Sequence, residues 1–159
     1  MSSDQTCAGK IVLVTGAQRG IGRAIAVRFA QAGADVALNY LDDKAATESA
    51  AAEIVALGRR AVTLAADVAA PAEARSLVGA AERALGPLDV LVNNAAIFPR
   101  APFLVLTEDA WDTVLDTNLK STFVCSQEAA RRPNATISAA ADSAAALSSR
   151  KLSATSAPA

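Results

Sequence analysis

Ile11-Val12-Leu13-Val14-Thr15-Gly16-Ala17-Gln18-Arg19-Gly20-Ile21-Gly22 is the stretch on which the reading of the whole chain turns. A short apolar run passes through three glycines into residues of helical spacing, which predicts a buried strand, a tight turn and a helix in succession. Each glycine has its own physical reason. Gly16 allows the turn off the strand, Gly20 lets backbone approach a bulky anion, and Gly22 lets the helix pack closely on the sheet. The first amides of a helix have no intrahelical partner and carry the positive end of its dipole, so the turn suits a pyrophosphate. A glycine-rich turn without ligand is the plainer alternative, and the strand before and helix after argue against it.

Working outward, the pattern from Lys10 alternates short β-branched runs with longer helical segments. Strands are expected at Ile11–Thr15, Asp35–Tyr40, Ala61–Ala66 and Leu88–Asn93, apolar on both faces as parallel strands covered by helices should be. The helix Ile21–Ala32 is expected to bury a stripe of Ile21, Ile25 and Phe29 before Gly33 stops it. Lys44–Leu57 ends at Gly58, and Pro71–Leu85 opens on proline and closes at Gly86-Pro87. A last helix starts at Thr107 as cap and runs through Trp111, Val114, Leu115, Leu119, Phe123 and Val124 to about Arg131. Consecutive βαβ units of this kind imply an α/β fold, a Rossmann-like doubly wound parallel sheet.

After Arg131 the grammar changes: of the 28 residues from Arg132 to Ala159, 16 are Ala or Ser, and Ile137, Leu147 and Leu152 are the large aliphatics. The sheet is therefore expected to be truncated after about four strands. On that reading residues 1–9 are an extension, 10–131 an incomplete nucleotide-binding domain, and 132–159 a low-complexity, irregular or disordered tail. Val90, Leu91 and Val92 would then form an unpaired apolar edge that invites aggregation, partial unfolding or capture by another chain.

Composition narrows the function classes. With 15 basic against 16 acidic residues and no long basic run, nothing neutralises a nucleic-acid backbone. The chain has no histidine, which excludes Ser-His-Asp triads and His-ligated zinc, and Cys7 and Cys125 fit no metal spacing. No metal site is expected. No apolar stretch approaches the ~18 residues of a membrane span, and the polar start gives no sign of secretion, so a cytoplasmic protein is expected.

The spacing Gly-x-x-x-Gly-x-Gly over Gly16, Gly20 and Gly22 resembles the short-chain dehydrogenase/reductase family, and other residues agree over about Lys10 to Arg131. Asp67-Val68 is similar to the family pair in which the carboxylate accepts from the adenine amino group while its neighbour packs on the ring. Asn93-Asn94-Ala95-Ala96 resembles the family's Asn-Asn-Ala-Gly, with Ala96 for the usual glycine, and Asn118 resembles the asparagine of its catalytic tetrad. The resemblance implies a nicotinamide dinucleotide held by Gly16, Gln18, Arg19, Gly20, Ile21 and Gly22. It adds Tyr40 at the end of the second strand, then Asp67, Val68, Asn93, Asn94 and Ala95. Read without it, Asp67 could cap a helix, Asn93 could bond at a strand end and Asn118 could face solvent. Tyr40 stands where an acid would select NAD, and Arg19 is placed in similar proteins to meet a 2′-phosphate, so NADP(H) is favoured over NAD(H). Asp42 and Asp43 work against that by adding negative potential. The resemblance also implies a homo-oligomer.

The catalytic half of the pattern breaks. Family enzymes exchange hydride with a carbonyl carbon while a tyrosine moves the proton, helped by a lysine four residues on and a serine on the preceding strand. Here Tyr40 is the one tyrosine, and Lys151 has Leu147 four residues before it, so no Tyr-x-x-x-Lys occurs. Ser138 echoes the serine strand, but Pro133 and the alanine run argue against a central strand there. A positioned acid or base contributes ~10² to 10⁴ in rate, so a catalytically silent fragment is expected. A non-catalytic nucleotide-binding or interaction module and a non-functional frameshifted product are the alternatives. Ile97 to Phe103 can line the mouth of a pocket or simply pack.

Overall fold

The computed structural model describes residues 6–133 and 135–139. The elements follow in the order β1 (Ile11–Val14), α1 (Gly20–Gln31), β2 (Asp35–Tyr40), α2 (Lys44–Ala56), β3 (Ala61–Ala65), α3 (Pro71–Leu85), β4 (Val90–Asn93), α4 (Glu108–Leu115), α5 (Ser121–Ala129) and β5 (Thr136–Ala139). A single 3-10 turn covers Phe103–Val105, and a π turn, Asp116–Lys120, joins α4 to α5. The strands form one parallel sheet in the order β3-β2-β1-β4-β5. From β1 the chain winds first to one side and later to the other, so a crevice opens above the carboxyl ends of β1 and β4. Val14 pairs with Leu38 on one side and Val92 on the other, which sets Thr15 level with Asn39 and Asn93.

Both sheet faces are covered. On one face Leu13, Leu77, Val78, Leu91, Val124 and Cys125 pack under α3 and α5. On the other, Val12, Val14, Ala26, Val36 and Ile54 pack under α1 and α2. The helix α1 buries Gly22, Ala26 and Ala30 instead of the expected stripe; Ile21 is 68% exposed. Small side chains win there because they let the helix axis approach the sheet where the glycine turn requires it, and Ile25 and Phe29 are left partly buried at the flank.

Two expectations from the sequence are corrected by the sheet. It has five strands, not four: β5 pairs with β4 through Val90↔Thr136, Leu91↔Ile137 and Val92↔Ser138, so the edge expected at Val90–Val92 is covered. The domain limit at Arg131 accordingly falls before the last strand. Pro133 did not forbid it, because proline precedes the ladder and removes no donor from it. Arg132 ties the approach down, reaching Glu82 at 3.0 Å and Glu128 at 2.6 Å, and the Thr136 amide donates to the Asp89 carbonyl. The rest of the expected tail, 140–159, lies outside the described residues.

The single helix expected from Thr107 to about Arg131 is also corrected, since the π turn divides it into α4 and α5. Trp111, Leu119 and Phe123 are exposed, whereas Ser121, Val124, Cys125 and Ala129 are buried. A π turn carries one extra residue, about 100° of rotation, so an uninterrupted helical wheel cannot follow the buried face across it. Among the described residues no helix is long and apolar enough to cross a membrane.

Candidate functional site

The turn after β1 places its three glycines in different surroundings. Gly16 has φ 61°, and a Cβ there would stand 2.8 Å from the Ala95 Cα. A Cβ on Gly22 would meet the Gly16 carbonyl oxygen at 2.3 Å and the Asn94 side-chain Nδ2 at 2.4 Å. The protein itself therefore excludes side chains at both. Gly20, with φ 57°, has nothing within 4 Å of where a Cβ would be. It opens α1, whose N-cap residue Arg19 is extended and gives no side-chain cap, with no acidic residue in the first turn. The positive end of α1 thus begins without a side-chain cap beside open space, a cradle fit for pyrophosphate.

That turn is clamped from both sides, by Asn94 and by two residues that pattern reading passed over, Thr15 and Asn39. Thr15 is buried, and its Oγ1 accepts from the amides of Asn94 and Ala95 at 2.9 and 3.0 Å. Asn94 returns the link, its Nδ2 donating to the carbonyls of Thr15 and Gly16. From the other side Asn39 Oδ1 accepts from the Gly16 amide at 3.2 Å, while its Nδ2 donates to the Leu64 and Ala66 carbonyls. The available signal was a polar residue at the end of each apolar strand, since buried polar groups are kept where they are bonded.

At the exit of β2, Tyr40 is half-buried and pairs with Ala65. Gln18, 9% exposed, crosses from the glycine turn: its Oε1 accepts from the Leu41 amide at 3.1 Å, and its Nε2 donates to Asp42 Oδ1 at 2.8 Å. Asp43 caps α2 by accepting from the Ala46 amide. Both acids expected to add negative potential are thus engaged. After β3, Asp67 Oδ1 accepts from the Ala69 amide in a local turn ahead of α3, and Val68 is buried in the core. Asn93 donates to the Ser126 hydroxyl.

Asn118 sits in the π turn and bonds the backbone of Ile97 twice, accepting from its amide at 2.8 Å and donating to its carbonyl at 2.9 Å. It does not face solvent. These bonds fix the start of the loop that lines an open cleft of about 700 Å³ with Arg19, Phe98, Pro99, Ala110 and Thr113. Arg19 and Ile21 are both exposed. Ser138 lies in β5 beside Val92. Among the described residues, no cluster of three His, Cys, Asp or Glu could hold a metal ion.

The short chain dehydrogenase family model matches residues 10–139. Over 124 residues the chain is 44% identical to an L-rhamnose 1-dehydrogenase (NAD(P)(+)) of Sphingomonas, covering 78% of this chain and 49% of that protein. A short chain dehydrogenase from Burkholderia cenocepacia, solved with NADP, superposes with a TM-score of 0.78 at 46% identity, over 79% of this chain and 51% of that one. A blue fluorescent protein from a metagenomic library, solved with NADPH, gives 0.77 at 42% identity, over 80% and 52%. The chain spans about half the length of the curated relatives it matches.

These findings overturn the expectation of a family match confined to a cofactor-binding piece ending near Arg131, and with it that of a catalytically silent fragment. The match continues through β5, past the limit expected at Arg131, and the similar chains include ones solved with NADP and NADPH. The non-catalytic module and frameshifted product fall on the same ground.

Proposed function

Because the chain belongs to the short-chain dehydrogenase family, we propose that it holds NADP(H) and supplies the cofactor-binding side of hydride exchange between that cofactor and a carbonyl or alcohol. The observation that carries this is the uncapped start of α1 at Gly20, open where a pyrophosphate would lie. Relatives solved with NADP and NADPH support the choice of cofactor. When bound, the reduced cofactor supplies the hydride. The chain's own residues bind and orient it. The α1 amides take the pyrophosphate with Gly16, Gly20, Ile21 and Gly22, and the Arg19 guanidinium balances the 2′-phosphate. Tyr40, Asp67 and Val68 border the adenosine. Asn93, Asn94 and Ala95 floor the crevice, and Asn118 holds the Ile97 loop against it.

A homo-oligomer is supported by the exposed apolar side chains of Trp111, Leu119 and Phe123 on one stretch of helix. A cytoplasmic setting is supported by Cys7 and Cys125 both being free thiols. The near-neutral charge gives nucleic acid no footing.

The test is a fluorescence titration of the full chain with NADPH and NADH, followed by NADPH absorbance with a panel of aldehydes and ketones. Saturable NADPH binding, tighter than NADH, is the expected result. A folded sample that takes up neither cofactor at millimolar concentration overturns the proposal.

A further inference from the structure

NADP differs from NAD by one phosphate on the adenosine ribose, so selectivity is decided by the charges at the exit of β2. Tyr40 closes that strand without charge, which makes Asp42 the first acid beyond it. A loose carboxylate there favours NAD twice over, by accepting from ribose hydroxyls and by repelling the extra phosphate. The neighbouring Asp43 is occupied as the cap of α2. Asp42 is occupied by Gln18 Nε2 at 2.8 Å.

We propose that Gln18 is a positioning residue for cofactor selectivity: from within the glycine turn it tethers the Asp42 carboxylate, so that this group does not swing toward a 2′-phosphate or turn to bond a ribose. The inference rests on the NADP(H) reading above and deepens it. The tether is directional. The Leu41 amide donates to Gln18 Oε1 at 3.1 Å, which turns the amino end of the carboxamide toward Asp42. A carboxamide supplies an acceptor and a donor at the same reach. Glutamate would present acceptors alone, lysine donors alone and methionine neither of useful strength. Gln18 is also 9% exposed, so it is held in place by its surroundings and not merely by its two bonds. Gln18 thus acts on the cofactor through Asp42.

The test measures NADPH and NADH affinities by fluorescence on the same full-chain samples: unmodified, Gln18→Met, Gln18→Glu, Asp42→Asn, and Gln18→Met combined with Asp42→Asn. Taking the ratio of the two affinities cancels any loss of folded fraction. The expected result is a fall in the NADPH-to-NADH preference of about three- to tenfold in Gln18→Met. At least as large a fall is expected in Gln18→Glu, which keeps the acceptor for Leu41 but sets a second carboxylate against Asp42. In the Asp42→Asn background, Gln18→Met should leave the ratio where it was. An unchanged ratio in both Gln18 variants, or an equal fall without the Asp42 charge, overturns the proposal. If the unmodified chain itself prefers NADH or takes up neither cofactor, the NADP(H) reading fails first and the Gln18 proposal falls with it.

Discussion

Gly20 and Gly22 stand two residues apart in the same turn, yet their replacement should give opposite signatures. Alanine at Gly22 drives a methyl into the Gly16 carbonyl, 2.3 Å away, and overpacking of this kind costs about 1–3 kcal/mol. Stability and NADPH affinity should fall together in Gly22→Ala, seen as a lower urea midpoint and a weaker titration. Alanine at Gly20 meets no protein atom and costs about 1–2 kcal/mol for its left-handed backbone. Its methyl occupies the space left for phosphate, so affinity should drop tenfold or more beyond what the stability change explains. Thr15→Val tests the clamp from beneath. It strands the amides of Asn94 and Ala95, at about 1–3 kcal/mol for a buried donor left unpaired. The glycine spacing was legible in the sequence because backbone geometry is local. Thr15 and Asn39 were not, because a hydroxyl and a carboxamide mean nothing until the strands that meet them are known.

At the scale of elements, punctuation survived better than faces. Pro71 and Gly86 bracket α3 as read, and Asp35–Tyr40 is the strand expected, since stops and β-branched runs are short-range signals. The buried stripe of α1 was misread, and the last helix was read as uninterrupted. In α1 the helix must approach the sheet closely, so Gly22, Ala26 and Ala30 go inside while Ile21 stays out. In α4–α5 the π turn rotates the second half. Asn118 is the side chain that uses this turn, so Asn118→Ala should release the Ile97 backbone. Hydrogen exchange at the Ile97 amide should then rise severalfold, with about 1–2 kcal/mol lost in stability. Unchanged exchange would show that the loop is held by packing instead.

For the whole molecule, ion pairs far apart in sequence close the sheet at its amino end and at β5. Burial alone would raise the Asp35 carboxyl, but bonds from the Arg60 backbone and guanidinium and the charge of Arg59 hold it below its ordinary value. The Arg132 guanidinium bonded to Glu82 holds that carboxyl down likewise. A carboxyl lowered by folding adds stability that is fully present above its unfolded value, near ~4, and is lost as pH falls through the folded value. Urea midpoints should therefore hold from pH 7 to about 5 and drop below about 4. Arg132→Gln should remove Glu82's share of that drop, at about 1 kcal/mol or less because the pair is partly solvated. By itself the sequence determined the order of strands and helices as far as β4 and the glycine turn, because these depend on backbone freedom and short-range periodicity. Only the tertiary structure decided that Thr136–Ala139 is a fifth strand, that Gln18 reaches Asp42 and that Asn118 grips Ile97. Each of these is a contact between distant segments, and a four-residue strand with one large aliphatic acquires its identity from the neighbour it pairs with.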